Sequence, residues 1–341
     1  MKKLTKIGAS ALAGSLVAMS AQAGELGVSG IWEVTYKSDD KANSGNPFGS
    51  KSAIMFSGSG DVDGLGTASF YASTNDNSPA GLLSHNVLLD MGDMGTIGFD
   101  QGVGTFGAST IDDKSPTAWE ESWHNTANSS GGLVHTGGSA GVLGYSNTVG
   151  GFSVSVEYAP ALTSADNGDG GAGGDNTSLA NGSNVNFAIT SSDLVEGLSV
   201  GIGAGQSSYD DEAVVGNEDG SSVVGFANYT MGPITAGITL SESNNTRSAT
   251  AVNTNTGARE VEAYGIAFAV NDNLSISYNQ HDMTYKKNGS SADVTQESTG
   301  IAIAYTMGGA TIAIQNNSQD NQSGTAGTND EITEISLSLA F

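Results

Sequence analysis

The stretch Phe152-Ser153-Val154-Ser155-Val156-Glu157-Tyr158 decides the fold. Every second residue is apolar or aromatic, and every residue between is polar. Side chains alternate across a β-strand with a period of two, so this spacing describes a strand with one apolar and one polar face. The pattern extends in both directions. Towards the N-terminus, Leu26, Val28, Trp32, Val34 and Tyr36 are set against Ser29, Glu33, Thr35 and Lys37. Towards the C-terminus it returns in Val185 to Ile189, Leu198 to Ile202, Ile234 to Leu240, Tyr264 to Val270, Leu274 to Tyr278, Ile301 to Tyr305, Ile312 to Ile314 and Ile335 to Phe341. Glu33, Lys37 and Glu157 all fall on the polar face, which becomes the inner wall if the strands close into a barrel.

The connections sort by length. Seven are tight and carry Gly, Asn or Asp: 61–64, 92–95, 147–150, 193–197, 231–233, 271–273 and 307–309. Eight are long and polar: 38–50, 74–83, 101–137, 160–183, 208–220, 242–258, 281–295 and 316–330. Fifteen connections join sixteen strands, and strands of about ten residues match a tilted bilayer crossing. A soluble sandwich also alternates, but it has no reason to place short turns at one end and long loops at the other. The expectation is an all-β fold, a closed antiparallel transmembrane β-barrel of sixteen strands with both termini at the short-turn end. Closure leaves no unpaired sheet edge in the bilayer. Trp32, Tyr36, Phe70, Tyr71, Tyr158, Tyr229, Tyr264, Tyr278, Tyr305 and Phe341 fall near strand ends, where interfacial girdles form.

Composition agrees. The 341 residues include 49 Gly, 5 Pro and no Cys. The absence of cysteine excludes disulfides and thiolate sites. With 11 Lys+Arg against 36 Asp+Glu, the net charge is −25, which disfavours nucleic acid as a partner. Residues 1–23 read as a secretory signal peptide. Lys2, Lys3 and Lys6 precede an apolar stretch from Ile7 to Met19, and Ala21-Gln22-Ala23 is a small-x-small cleavage site. The mature domain is then 24–341, with 8 basic residues against 36 acidic ones and a net charge of −28.

Three features together resemble the general bacterial porins of outer membranes, particularly those of alphaproteobacteria. Ala21-Gln22-Ala23 leads into an alternating strand containing Gly30-Ile31-Trp32-Glu33. Met94-Gly95-Thr96-Ile97-Gly98-Phe99-Asp100 runs into the longest loop. The chain ends on an alternating strand whose last residue is Phe341. The resemblance covers the whole mature chain. It implies a homotrimer in outer-membrane lipid, a water-filled pore and a third long loop folded into the lumen. It also implies that Phe341 is an assembly signal read by the barrel assembly machinery.

That loop, 101–137, is too long for an idle connector. Ser115-Pro116 reads as an N-cap with Pro at the first helical position, predicting a short helix over 116–124. Trp119 and Trp123 would share its wall-facing side. Asp112, Asp113, Glu120 and Glu121, offset by Lys114, would form the pore constriction and favour cations. The basic cluster that general porins often set opposite such a loop is missing, and Lys37 is the best wall candidate.

Several motifs are declined. Gly102-Val103-Gly104-Thr105-Phe106-Gly107 matches a dinucleotide fingerprint without the following helix. Gly137-Gly138-Ser139-Ala140-Gly141 matches a nucleophile elbow but opens a strand, and His85, His124, His135 and His281 are scattered. No catalytic, cofactor or metal site is expected, apart from weak calcium binding by outer-loop acids such as Asp166, Asp169, Asp175 and Asp210-Asp211-Glu212. The expected function is passive diffusion of small hydrophilic solutes and ions, without covalent chemistry. The rivals are a substrate-specific channel and an adhesive surface barrel.

Overall fold

A computed structural model describes residues 26–39, 45–75, 84–112, 114–124, 141–160, 183–208, 219–244, 256–287 and 291–341. The signal segment, Asp113, Asp166, Asp169, Asp175, the Asp210-Asp211-Glu212 run, and residues 137–140 of the elbow-like motif lie outside the described residues. The sixteen strands are β1 (Leu26–Asp39), β2 (Phe48–Val62), β3 (Gly66–Asn75), β4 (Ser84–Asp90), β5 (Thr96–Gln101), β6 (Val142–Val149), β7 (Phe152–Ala159) and β8 (Asn184–Ser191), followed by β9 (Leu198–Ser207), β10 (Gly220–Met231), β11 (Ile234–Asn244), β12 (Thr256–Ala269), β13 (Leu274–Lys287), β14 (Val294–Met307), β15 (Ala310–Asp320) and β16 (Asp330–Ala340). Each pairs antiparallel with its chain neighbours, and β1 pairs with β16 to close the barrel. Beyond that last ladder, Phe341 and Gly30 exchange two backbone hydrogen bonds of 2.9 and 3.1 Å.

The two faces separate as the alternation requires. Val156, Tyr158, Ile266, Ile303 and Leu337 are exposed, while Glu157, Asn186, Ser277, Gln315 and Ser336 are buried. In water this would be inverted. Around a wet interior within lipid, both faces meet a matching medium. Tyr71 departs from expectation. It stands opposite Ser57 and Asn86 in the register, on the polar face and away from the outer girdle. Consecutive strand residues face opposite sides, so Phe70 and Tyr71 cannot both meet lipid, and Phe70 is the exposed one.

The strands outrun the apolar pattern at the long-loop end. Thr256 already belongs to β12, and β13 continues to Lys287, inside segments expected as loop. Cross-strand polar contacts sustain the extension: Thr284 and Thr295 hydroxyls lie 2.9 Å apart, and Asn316 Nδ2 donates to Thr333 Oγ1 at 3.0 Å. On the apolar-face parity, Glu262, Asp282, Glu297 and Asp320 stand directly opposite one another across β12 to β15. Four ionised carboxylates in a row are tolerable only in water. The hydrocarbon boundary on this arc therefore falls between them and the neighbouring aromatics Tyr264 and Tyr278. The Tyr264 hydroxyl bridges the two zones by donating to Glu262 Oε2 at 3.0 Å.

Candidate functional site

The described part of the third long connection, residues 102–112 and 114–124, is bonded to polar-face side chains strand after strand. It starts at Asp100, a buried carboxylate that accepts the N–H groups of Val103 and Thr105, each at 2.7 Å. Asn86 Nδ2 adds a bond to Thr105 Oγ1 at 2.8 Å. The dinucleotide-like glycines serve this path: Gly102, Gly104 and Gly107 all have positive φ, and Gly107 opens a 3-10 turn over Gly107–Ile111. The Gly107 N–H donates to Ser155 Oγ at 2.8 Å, and the Ala108 N–H to Asn186 Oδ1 at 2.6 Å. Asn186 Nδ2 in turn donates to Glu157 Oε1 at 2.6 Å. Glu157, expected on the pore wall, is thus buried behind the segment as the group that orients Asn186.

Asparagines continue the attachment. Asn228 Nδ2 donates to the Lys114 carbonyl at 2.7 Å, Asn279 Nδ2 to the Pro116 carbonyl at 2.7 Å, and Asn317 Nδ2 to the carbonyls of Glu121 and His124, both at 3.0 Å. Apolar seats lie between them. Phe106 fills the space over Gly98 and Gly144, which face each other in the register, and a Cβ at Gly144 would overlap its ring. Ala108 and Ile111 pack on Ala188, Val224 and Phe226.

The helix expected over 116–124 is not formed; this stretch is bends and a turn. The physical reason is competition. A helix would pair the Pro116 carbonyl with the Glu120 N–H and the Glu120 carbonyl with the His124 N–H. Here Asn279 Nδ2 takes the first at 2.7 Å, the Thr117 hydroxyl takes the second at 3.0 Å, and the His124 N–H closes on the Glu121 carbonyl. Ser277 Oγ, accepting the Ala118 N–H at 2.8 Å, and Asn317 tie the stretch to the barrel. The Ser115 hydroxyl caps no helix and has no partner among the described residues. The tryptophans also part company. Trp119 is buried against Ala302, Ala304 and Ala313, whereas Trp123 stacks on His281 with centroids 4.4 Å apart.

The charged groups gather on one arc. Glu33 on β1 stands directly opposite Lys51 on β2, with Lys51 Nζ 2.8 Å from Glu33 Oε2, and Ser336 donates to the other carboxylate oxygen. Glu334 on β16 stands opposite Lys37. Glu120 and Glu334 both act electrostatically on Lys51. His124 Nδ1 lies 3.5 Å from Glu120 Oε2. Burial holds the His124 imidazole below its ordinary value of 6.5, with Glu120 pulling the other way, so the ring is neutral at neutral pH. Of the expected site residues, Glu33, Lys37 and Glu120 therefore meet in one cluster. Asp112 ends the 3-10 turn, and Lys114 and Glu121 line a separate cavity of about 990 Å³ bounded by β5 to β11 and the short turns.

Sequence reasoning missed Lys51, Glu334, Asp100 and the asparagines. Lys51 was placed beside a loop; the parity of Ile54 and Phe56, had it been carried back along the strand, puts Lys51 on the polar face. Glu334 shares the parity of Ser336 and Ser338 and was legible in the same way. No local signal marks an asparagine as a loop anchor.

Apolar outside, polar inside and closed without an edge, this is a membrane-spanning channel barrel. The Gram-negative porin family model matches residues 8–341, and the chain belongs to that family, a broader group than the alphaproteobacterial type. Known structures of similar shape include porins. One, refined at 1.8 Å, has a TM-score of 0.63 at 18% identity, covering 93% of this chain and all 100% of its own. Salmonella typhi OmpF in complex with daunomycin gives 0.65 at 14%, covering 93% and 97%. The anion-selective porin from Comamonas acidovorans gives 0.62 at 12%, covering 93% and 99%. No curated protein matches the chain.

Proposed function

We propose that the protein is a passive, cation-preferring diffusion channel for small hydrophilic solutes and ions, in which residues 102–124 narrow the lumen. It carries out no covalent chemistry. The observation that carries this reading is the chain of wall bonds from Asp100 to Asn317, which holds a segment bearing Asp112, Glu120 and Glu121 against the polar face of a closed barrel. Asp113 and the outer-loop acids complete the proposal: the former adds to the constriction, the latter bind calcium weakly and bridge to anionic lipid.

The test is a planar-bilayer record with a solute-size series, followed by reversal potentials in a KCl gradient. Stepwise conductance is expected; an adhesive barrel with a plugged lumen gives none. A unit charge about 6 Å from an ion contributes roughly 0.7 kcal/mol in water, so a few acids along the path yield a several-fold cation preference at low salt. Changing Asp112, Asp113, Glu120 and Glu121 to Asn and Gln should remove most of it. Anion selectivity in the parent rejects the preference, and a preference that survives the fourfold change moves the filter elsewhere.

Export and assembly follow from the same reading. Signal cleavage after Ala23 and a homotrimeric state are checked together by native mass measurement of outer-membrane material: three chains, each beginning at Gly24. An intact Met1 or a monomer contradicts the respective half.

Phe341 is proposed as a signal to the barrel assembly machinery. It is 75% exposed, so its side chain contributes little packing to the monomer, although its backbone pairs with Gly30 at the seam. Deleting it should lower the yield of folded barrel and leave the conductance of surviving channels as it was. Normal yield refutes the role.

A further inference from the structure

The interior is divided by chemistry. The wall charges Glu33, Lys37, Lys51 and Glu334 lie on the arc β16–β1–β2. The cavity of about 990 Å³ lies against β5 to β11 on the short-turn side of the 102–124 segment. Fourteen of its twenty-five lining residues are Ser or Thr, and only Asp93, Lys114 and Glu121 are charged. Charged residues are 14% of the whole chain, so the lining is set apart by its hydroxyls and not by a shortage of charge.

The geometry points to a binding subsite for uncharged polyhydroxylated solutes, of mono- to disaccharide size, in this cavity. The inference rests on the channel reading and names the solute class that the channel retains in passage. The volume lies at the upper end of the ~300–1,000 Å³ usual for small-molecule sites. Each Ser or Thr hydroxyl both donates and accepts, as does each hydroxyl of a sugar, so the two sets can pair in many orientations. Thr230 and Thr235 hold their hydroxyls 2.9 Å apart across β10 and β11, and Thr148 and Ser153 do so at 3.1 Å. These pairs can open towards a ligand without leaving a hydroxyl unmatched. Ser115, more than nine-tenths buried, lines the cavity with a hydroxyl that has no partner among the described residues, and the same holds for Asn228 Oδ1. Phe226 and Pro116 supply apolar surface for the C–H face of a sugar ring. A carboxylate solute gains less here. Lys114 is the lining's one cation, and Asp93 and Glu121 oppose it.

The experiment uses the full-length protein in planar bilayers in KCl, titrated with maltose and with maltobionate, its carboxylate counterpart. Maltose should reduce the current along a saturating curve, whereas maltobionate should reduce it linearly, as a viscosity effect does. Losing one hydroxyl partner should weaken retention about fivefold. Ser115→Ala should raise the half-saturating maltose concentration by that factor, and the double variant Thr230→Val with Thr235→Val, which removes two hydroxyls, by at least as much. The KCl conductance of each variant reports that the barrel has assembled. A linear maltose curve in the conducting parent overturns the subsite and leaves the channel intact, as does equal saturation by both sugars. Absence of any KCl conductance overturns the channel reading and the subsite with it.

Discussion

Replacing Lys51 by Gln should raise the cation-to-anion permeability ratio by roughly three- to tenfold at about 0.01 M salt. Lys51 is half exposed, whereas Glu33 behind it is almost fully covered, so the lysine is the member of the pair that ions meet. Removing it deletes one positive charge and uncovers a carboxylate that keeps its Ser336 hydrogen bond. One charge acts on cations and anions with opposite sign, so a contribution near 0.7 kcal/mol on each doubles in the ratio to about tenfold before screening. Near 1 M salt, where the Debye length is about 3 Å, the effect should largely vanish. Glu33→Gln should shift the ratio the other way, and the double replacement should return it close to the parent value. Because Lys51 is half exposed, water reaches the uncovered carboxylate, and leaving Glu33 unpaired costs on the order of 1 kcal/mol. The double replacement therefore also controls for damage to the wall. Equal reversal potentials in all four proteins would remove this arc from the ion path.

Phe106→Ala should release the start of the 102–124 segment, raise the conductance step and reduce cation preference. The ring is 1% exposed and occupies the notch made by Gly98 and Gly144. Emptying such a site costs about 3–5 kcal/mol. That energy is lost from the attachment of the segment, since the ladders on either side do not use the ring. Gly144→Leu should do the same by the opposite route, because its side chain takes the ring's place. The conservative Phe106→Leu should retain most of the attachment. Conductance measurements distinguish the outcomes: unaltered steps in a folded Phe106→Ala barrel would show that this anchor does not control the opening.

Much of the architecture was legible because strand alternation is local. Phe152 to Tyr158 states its two faces without reference to any partner, and the turns 92–95 and 271–273 announce themselves by Gly, Asn and Asp. The limits of that reading are also physical. Apolar residues mark only the lipid-facing zone, so His281 to Lys287 looked like loop although backbone pairing carries β13 through it. Tyr71 was assigned to a girdle by its type, whereas its parity beside Phe70 decided its face. The short helix over 116–124 was a sound local inference from Ser115-Pro116 and the paired tryptophans. It failed because Asn279, more than 150 residues away, takes the Pro116 carbonyl, while Ser277 and Asn317 tie the same stretch to the barrel wall.

By itself, then, the sequence determined the strand number, the two faces, the order of short and long connections and the excess of acid, all properties of neighbouring residues. Tertiary structure alone decided which charges meet. Glu33 finds Lys51 across one ladder and Ser336 across the closing seam, and Glu120 and His124 reach that arc only because the wall leads them there. Register, closure and the path of the 102–124 segment are set by pairings between distant strands, and no local pattern of residues encodes those distances.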